Sequence, residues 1–322
     1  MLNKYKDRET GYSVLTKNDL DILHEATLDF MENVGVNVYG AEAHEYFEGA
    51  GCEVDREESR IRFPRNLVND CIESTPGERI MYARDPAKDV KLGEGYTSYT
   101  NFGVGTTLLN PYTGERKMTT LEDLADITRF LDAIDEVDQI SPAVSATDIH
   151  DETRELHEGI AIFNNTTKHF AHDVEGGEQT RTFIKMAAVV AGGMDKLRER
   201  PIISLGCCPN SPLEIFEEAS EQIIEAAKAG IPFEVLSMGL SGGTTPVTLA
   251  GTLLSTNCEI LAGIVLGQIV NKGLSMTYGS STTIMDMRTA TTPVGAPEHA
   301  MIGAAVAQIG RYYDIPTEAG GT

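Results

Sequence analysis

The sequence predicts an α/β protein in which parallel strands alternate with helices. Short apolar runs at 231–238, 273–280 and 315–322 each end in glycines or small polar residues, and long helical segments separate them. A Gly/Ser/Thr loop that leads towards a helix follows each of the first two runs. This order is typical of repeated strand-loop-helix units, in which the loops after the carboxyl ends of the strands build the active site.

Composition limits the class of protein. The chain has 322 residues and a mass of 34.9 kDa, enough for one large domain with a smaller appendage. Its 26 Lys and Arg against 49 Asp and Glu give a net charge of −23 without a basic cluster, so nucleic-acid binding is not expected. The first residues lack the apolar run of a secretory signal, which predicts a cytoplasmic protein. Five cysteines without a C-x-x-C motif favour reduced thiols over a disulfide framework or a zinc ribbon.

Residues 1–95 are predicted to form a small, mainly helical N-terminal region. Apolar residues at helical spacing after Thr16 indicate a first helix that runs to about Asn33, and Pro64 opens a third helix. Nothing in this region demands chemistry, so it is predicted to be a cap or a dimerisation layer. The other elements expected here are a helix at 41–50, closed by Gly51, and extended pieces at 52–54 and 60–63.

Residues 96–322 are predicted to form the catalytic domain, because strands and helices alternate from there onwards. An Asn-Pro-Tyr-Thr-Gly turn at 110–114 predicts a hairpin, and Thr119 or Thr120 is expected to cap the helix that follows. The predicted parallel strands lie at 99–104, 139–144, 168–172, 201–205, 232–238, 274–278 and 316–319.

The strand count favours a (β/α)8 TIM-like barrel that is truncated after about the seventh strand. A complete barrel has eight strands in typically about 250 residues, and this region has about seven in roughly 225 residues. A doubly wound open sheet is the alternative, but no Gly-x-Gly-x-x-Gly fingerprint follows the first strand. The most apolar long segment, 247–270, carries Asn257 and Glu259 near its centre, so it is predicted to be a packed helix rather than a membrane span.

Two loops are candidates for binding. The 278–283 segment, Tyr-Gly-Ser-Ser-Thr-Thr, follows a strand and could line a pocket with hydroxyl and backbone N–H groups. The 240–246 segment offers glycines where a large planar ligand could approach the backbone closely. A structural turn is the alternative for 278–283, and a flexible loop is the alternative for 240–246.

Two histidines, His169 and His172, lie on or after one predicted strand. Neutral, hydrogen-bonded histidines, or one acid/base residue at His172, are favoured over a zinc site. Such a site would need Cys207 or Cys208 on the next strand as a further ligand, and no metal ligand set is predicted.

Taken together, these segments resemble the trimethylamine:corrinoid methyltransferase family. The matching motifs run in order over about half of the chain, which makes the resemblance specific. They are Gly51-Cys-Glu-Val-Asp55, Thr167-Lys-His-Phe with His172, Cys208-Pro-Asn-Ser-Pro-Leu-Glu214, Gly230-Ile-Pro with Val235-Leu-Ser-Met238, Ser241-Gly-Gly, Leu249-Ala-Gly-Thr-Leu253, Gly263-Ile-Val-Leu266, Tyr278-Gly-Ser-Ser-Thr-Thr283 and Pro293-Val-Gly with Pro297-Glu298.

The resemblance implies a (β/α)8 barrel that passes a methyl group from trimethylamine to the Co(I) corrinoid of a separate corrinoid protein and releases dimethylamine. In the trimethylamine branch of the family, pyrrolysine, encoded by an in-frame amber codon, follows an Ala-Gly-Ser-like tripeptide. Gly320-Gly-Thr322 occupies that place, so the resemblance predicts pyrrolysine immediately after Thr322. The missing barrel elements are then explained, and the 322-residue form is expected to be inactive and poorly folded alone.

Positions at predicted strand ends indicate roles for several residues in this mechanism. His172, Tyr278 and Ser280 are expected to orient the adduct of the amine or to relay its proton, and are the predicted catalytic residues. The corrinoid, presented by its partner protein, is expected to gain close access at Ser241, Gly242 and Gly243. The other residues expected to face the substrate or the corrinoid are Ser281, Thr282, Gly320, Gly321 and Thr322.

Three alternatives stay open at this point. Family members without pyrrolysine act on quaternary amines such as glycine betaine. A non-catalytic chain would only bind the corrinoid protein, and a zinc-dependent methyltransferase would bind zinc through His172 with Cys207 or Cys208. Partners are therefore expected to be the corrinoid protein, a small methylated amine and further copies of the chain, without nucleic acid or membrane.

Overall fold

The structure is a computed structural model that describes residues 12–93, 95–101 and 103–320. The chain forms two compact units, one of Met1–Glu78 with Cys207–Thr322 and the other of Arg79–Gly206. The boundary predicted near residue 95 stays a prediction, because these units are defined by contacts within the folded chain and not by function.

Two of the helices in the described part of the chain begin at a capping box. The side chain of Thr16 accepts a hydrogen bond from the N–H of Asp19, and the Asp19 carboxylate accepts one in return from the N–H of Thr16. Thr120 and Asp123 form the same capping box, so Thr120 rather than Thr119 caps the fourth helix. The helices are α1 (Lys17–Asn33), α2 (Ala41–Gly49), α3 (Arg65–Ser74), α4 (Leu121–Asp132), α5 (Arg154–Asn165), α6 (Gly177–Ala191), α7 (Met194–Glu199), α8 (Glu217–Ala229), α9 (Leu249–Val270) and α10 (Pro297–Tyr313).

The strands are short, and most of them lie where apolar alternation predicts them. They are β1 (Val36–Val38), β2 (Glu53–Asp55), β3 (Arg60–Arg62), β4 (Arg79–Met81), β5 (Val90–Leu92), β6 (Thr107–Leu109), β7 (Arg116–Met118), β8 (Gln139–Ile140), β9 (His169–His172), β10 (Ile203–Cys207), β11 (Glu214–Ile215), β12 (Phe233–Ser237), β13 (Leu240–Ser241), β14 (Met276–Ser280), β15 (Thr283–Ile284) and β16 (Thr317–Ala319).

In the first unit, β14 lies between β12 and β16, and all three strands are parallel. The register places Tyr278 opposite Val235 and Thr317. Helix α9 connects β12 to β14, and α10 connects β14 to β16. This alternation of parallel strands and helices confirms the α/β class.

Within the N-terminal region, the chain up to Glu78 belongs to the first unit. Strand β1 pairs in parallel with β11 and antiparallel with β3, and α1, α2 and α3 pack against α9. Pairing of β1 with β11 was not predicted, because each strand is only two or three residues long and they lie far apart in the chain.

In the second unit, β9 lies between β8 and β10 in a parallel arrangement. The predicted hairpin is confirmed as β6 and β7, joined by the turn that begins at Asn110. The strand predicted at 99–104 is wrong, since the described residues there form only one bridge, from Thr100 to Gln139, and Gly105 after them forms a separate bridge with Val144. The Asn101 side chain instead bonds the N–H and the carbonyl of Ser141, at 3.0 and 2.9 Å, in place of a backbone ladder.

The segment around Lys168 has a structural function in the second unit. Its ammonium group donates to the carbonyls of Leu131 and Ile134, at 2.9 and 2.5 Å, where α4 ends. The Asp132 carboxylate accepts hydrogen bonds from the Thr166 hydroxyl and the Thr167 N–H, at 2.6 and 3.0 Å. These bonds fix the chain entering β9 to the end of α4.

Helix α9 forms the centre of the first unit. By length and composition it could cross a membrane, but 78% of its most apolar window is buried inside the protein, as predicted for a packed helix. Asn257 in its middle is fully buried and makes three hydrogen bonds. Its Nδ2 donates to the Thr27 hydroxyl of α1 at 2.9 Å and to the Tyr313 hydroxyl of α10 at 2.8 Å, while its Oδ1 accepts from the Tyr278 hydroxyl of β14 at 2.9 Å.

Asn257→Ala should therefore destabilise the protein strongly. It leaves the buried Tyr278 hydroxyl without its described partner, which costs about 1–3 kcal/mol, and it removes one of two bonds from each of the Thr27 and Tyr313 hydroxyls, so a loss of at least about 2 kcal/mol is expected. Tyr278→Phe, the control, removes one of these bonds and should cost about 1–2 kcal/mol. Urea unfolding of both variants measures this, and equal losses would contradict a central role for Asn257.

Candidate active site

The candidate active site lies at the carboxyl edge of β12, β14 and β16, in the first unit. The loops that leave β12 and β14 stay paired beyond the sheet, since β13 and β15 are parallel with Leu240 opposite Thr283. In α/β folds this edge is where loops from neighbouring strands meet and bind ligands. The sequence-predicted loops at 240–246 and 278–283 are therefore neighbours.

The side chains of Ser280 and Thr282 stabilise the turn after β14 through hydrogen bonds within it. The Ser280 hydroxyl donates to the Thr282 hydroxyl at 2.9 Å and accepts from the Thr282 N–H at 3.2 Å. The Thr282 hydroxyl also accepts from the N–H of Gly239 at 3.1 Å. Both side chains are buried, so their hydrogen-bonding groups act within the loop. Ser281 between them is half-buried.

Strand pairing brings Ser281 next to Gly320. The N–H of Gly320 donates to the Ser280 carbonyl at 2.9 Å, and a Cβ atom on Gly320 would lie 3.0 Å from the Ser281 hydroxyl oxygen. A side chain at position 320 would therefore displace Ser281. Gly321 and Thr322, which the sequence also places at this site, lie outside the described residues.

The Ser241-Gly-Gly segment is a compact turn rather than an open flexible loop. The Ser241 hydroxyl donates to the carbonyls of Pro246 and Val247, at 3.2 and 3.1 Å. Gly242 has φ +83°, which favours glycine, and Gly243 is exposed. Access of a large ligand to Gly243 therefore needs no movement of the turn.

Tyr278 lies in the core, on the face of β14 that packs against α9 and α10. Its ring is almost fully buried, and burial raises the pKa of its hydroxyl well above the ordinary value. The single described hydrogen bond of its hydroxyl goes to Asn257. The catalytic role predicted for Tyr278 stays a prediction, and its contacts are those of a packing residue.

His172 lies in the second unit, on the face of β9 that packs against α5 and α6. Its Nε2 is 3.0 Å from the Glu155 carbonyl oxygen, and its ring contacts those of Phe170 and Phe183. Burial lowers the pKa of His172 to about 4, so the imidazole is neutral at pH 7. The catalytic role of His172 also stays a prediction. No group of three His, Cys, Asp or Glu side chains in the described part of the chain is arranged to hold a metal ion.

The opposite face of β12, β14 and β16 carries acidic residues that the sequence analysis did not single out. Glu234 lies opposite Thr277, and Glu318 lies opposite Gly279. A Cβ atom on Gly279 would be 2.5 Å from Oε1 of Glu234, so the carboxylate occupies space that the glycine leaves. An acidic residue within an apolar run, as in 231–238, is the sequence signal that could have identified Glu234. Two carboxylates on this face favour a cationic ligand over an anionic one.

Gly279→Ala should destabilise the protein, because the new methyl group meets the Glu234 carboxylate and the backbone of Leu236. Overpacking of this kind costs about 1–3 kcal/mol. Gly303→Ala in α10 is the matched control, since no atom lies within 4 Å of a Cβ there and alanine favours a helix by up to about 1 kcal/mol. Thermal unfolding compares the two, and a neutral Gly279→Ala would show that the Glu234 carboxylate lies elsewhere.

Glu155 should make stability depend on pH near neutrality. Burial, together with the charges of Glu175, Glu158 and Asp173, raises the pKa of Glu155 to about 7. The folded chain then binds a proton that the unfolded chain has lost, so this contribution to stability is full below about pH 4.5 and disappears as the pH rises through 7.

Glu155→Gln should flatten the fall in stability between pH 5 and pH 8, while preserving an acceptor for the Glu175 N–H. Glu152→Gln removes a charge at an exposed position of the same segment and serves as the control. Urea midpoints measured across this pH range test the prediction, which fails if wild type and Glu155→Gln have parallel profiles.

Comparison with known proteins gives a family match over almost the whole chain. A family model described as trimethylamine methyltransferase (MTTB) matches residues 2–322. The trimethylamine methyltransferase MttB of Desulfitobacterium hafniense is 46% identical over 307 residues, which are 95% of this chain and 62% of that protein. A glycine betaine methyltransferase of Desulfitobacterium hafniense strain Y51 is 31% identical over 312 residues, 96% of this chain and 64% of that protein.

A crystal structure of the hydroxylamine MtmB complex matches the fold with a TM-score of 0.53 and 12% identity. The match covers 93% of this chain and 66% of that one. At this identity the likeness concerns the fold alone. The chain spans between six- and seven-tenths of the length of each of these proteins.

Proposed function

Because the chain belongs to the trimethylamine methyltransferase family, we propose that it takes part in methyl transfer from trimethylamine to the Co(I) corrinoid of a partner corrinoid protein. The observation that carries this proposal is the family match over residues 2–322, together with 46% identity to a trimethylamine methyltransferase. The 31% identity to a glycine betaine methyltransferase makes that activity the second candidate. A cytoplasmic location and self-association belong to the same proposal.

In this reaction the bond between nitrogen and a methyl carbon breaks while a bond between that carbon and cobalt forms. Cobalt is oxidised from Co(I) to Co(III), and the nitrogen leaves with a proton as dimethylamine. Free amide anions are poor leaving groups, so the nitrogen must be activated first. Pyrrolysine, proposed at the position after Thr322 from the resemblance of Gly320-Gly-Thr322 to the family tripeptide, would supply an electrophilic imine for this purpose.

The position of Gly320 supports such a group at this edge. Strand β16 runs parallel to β14, so Gly320 lies at the same edge as the loops after β12 and β14. Ser281 lies beside Gly320, and Glu318 lies on the face of β16 that belongs to the acidic side of the sheet. We assign to this chain the positioning of the amine and the exclusion of water from it.

The corrinoid is the methyl acceptor and is proposed to approach from the side of the Ser241-Gly-Gly turn. Gly243 is exposed there, and the Met285 sulfur would be 3.1 Å from a Cβ atom on Gly243. Because Gly243 has no side chain, a large planar macrocycle can approach the backbone there and contact the Met285 thioether.

His172, Tyr278 and Ser280 are proposed to act on methyl transfer indirectly. Each of them is buried and hydrogen-bonded within its own unit, so none needs to touch the amine. A full-length Tyr278→Phe, His172→Ala double variant with wild-type methyl transfer would dismiss any role for these two residues.

The proposed activity is tested with the protein as its gene expresses it, a corrinoid protein reduced to Co(I), and either trimethylamine or glycine betaine. We expect the Co(I) absorbance to be replaced by that of methyl-Co(III) with trimethylamine and not with glycine betaine. Mass spectrometry of the peptide that contains Gly320 should identify pyrrolysine. The reverse preference would assign the second candidate activity, and binding of the corrinoid protein without transfer of methyl from either amine would make the chain a binding protein.

A further inference from the structure

His299 contacts the candidate active site from the helix side. It lies in the first turn of α10 and is 4% exposed. Its Nδ1 is 3.2 Å from the Thr282 carbonyl oxygen. Because a carbonyl oxygen only accepts hydrogen bonds, Nδ1 carries the proton and donates it. His299 therefore hydrogen-bonds the backbone of this turn. The side chains of Ser280 and Thr282 stabilise the same turn through hydrogen bonds within it.

This bond stabilises the part of the turn that lies next to Gly320. Ser281, the residue before Thr282, lies against Gly320, and a shift of the Thr282 peptide moves Ser281 with it. Beyond Ile284 the loop becomes exposed, with Met287 67% exposed. His299 thus holds the backbone just before the loop reaches the surface.

The other ring nitrogen of His299 points to a function that is more than packing. Its Nε2 is buried and has no hydrogen-bond partner among the described residues, and the hydroxyl of Thr283 on the same turn is likewise buried without a described partner. If His299 only filled space, an apolar side chain could do so without burying an unpaired nitrogen. What the imidazole adds is the Nδ1–H that bonds the Thr282 carbonyl.

We propose that His299 is a positioning residue of the methyl-transfer site, and that it fixes the Ser281 turn beside Gly320 through its bond to the Thr282 carbonyl. This inference rests on the proposed function. His299 does not touch the amine or the corrinoid, so its loss should lower kcat and leave the KM for trimethylamine nearly unchanged.

Two substitutions separate the hydrogen bond from the shape of the side chain. Asn places its Nδ2 close to the position of Nδ1 and can still donate to Thr282, whereas Leu fills the space without a donor. His299→Leu should therefore increase amide exchange in the 280–286 peptide by about tenfold and lower kcat by about tenfold, the effect of one lost hydrogen bond. His299→Asn should recover most of both effects. His157→Leu, at an exposed position of α5, is the control.

Hydrogen exchange is measured by mass spectrometry on the natively expressed protein and needs no activity. Unchanged exchange in His299→Leu, or an equal loss of kcat in both variants, would overturn the role of His299. A rise in KM without a fall in kcat would also overturn it. If the wild-type protein transfers no methyl group, the proposed function is wrong and the role falls with it, even where the exchange data confirm the contact.

Discussion

The carboxamide of Asn257 is the constraint on which the rest of the first unit depends. It sits in the middle of α9, a helix buried on nearly all sides, and it bonds groups from α1, α10 and β14 at once. In a low-dielectric interior, a polar network with every member paired allows one arrangement, whereas apolar contacts tolerate several. Asn257 therefore fixes the N-terminal helix and the last described helix relative to the central strand.

A second polar residue of α9 connects the core to the loops. The Glu259 carboxylate accepts from the Ser211 hydroxyl at 2.9 Å, the Leu213 N–H at 2.8 Å and the Ser237 hydroxyl at 2.6 Å. Burial raises the pKa of Glu259, and these three donors oppose that shift by stabilising the charged form. Helix α9 thus hydrogen-bonds both the end of β12 and the chain that follows β10. These bonds fix the end of β12, from which one loop of the candidate site begins.

The hydroxyl-rich loop after β14 shows why a residue's type does not determine its role. The sequence places Tyr278, Ser280 and Ser281 within four positions, and all three could serve a substrate. In the fold Tyr278 bonds the core, Ser280 bonds its own turn, and only Ser281 faces the end of β16. The acidic face with Glu234 and Glu318 lies on the other side of the same strands and was not anticipated.

The sequence by itself determined the class of the fold, most of its helices and strands, the two loops of the candidate site and the family, because these depend on local periodicity, capping residues and motifs. Only the tertiary structure decided which face of each strand meets the helices and which strands pair with β1. It also decided that hydrogen bonds of the Asn101 side chain replace the strand predicted at 99–104. Those outcomes depend on contacts between segments far apart in the chain. A short strand can present either face until its neighbours and its covering helix fix the register.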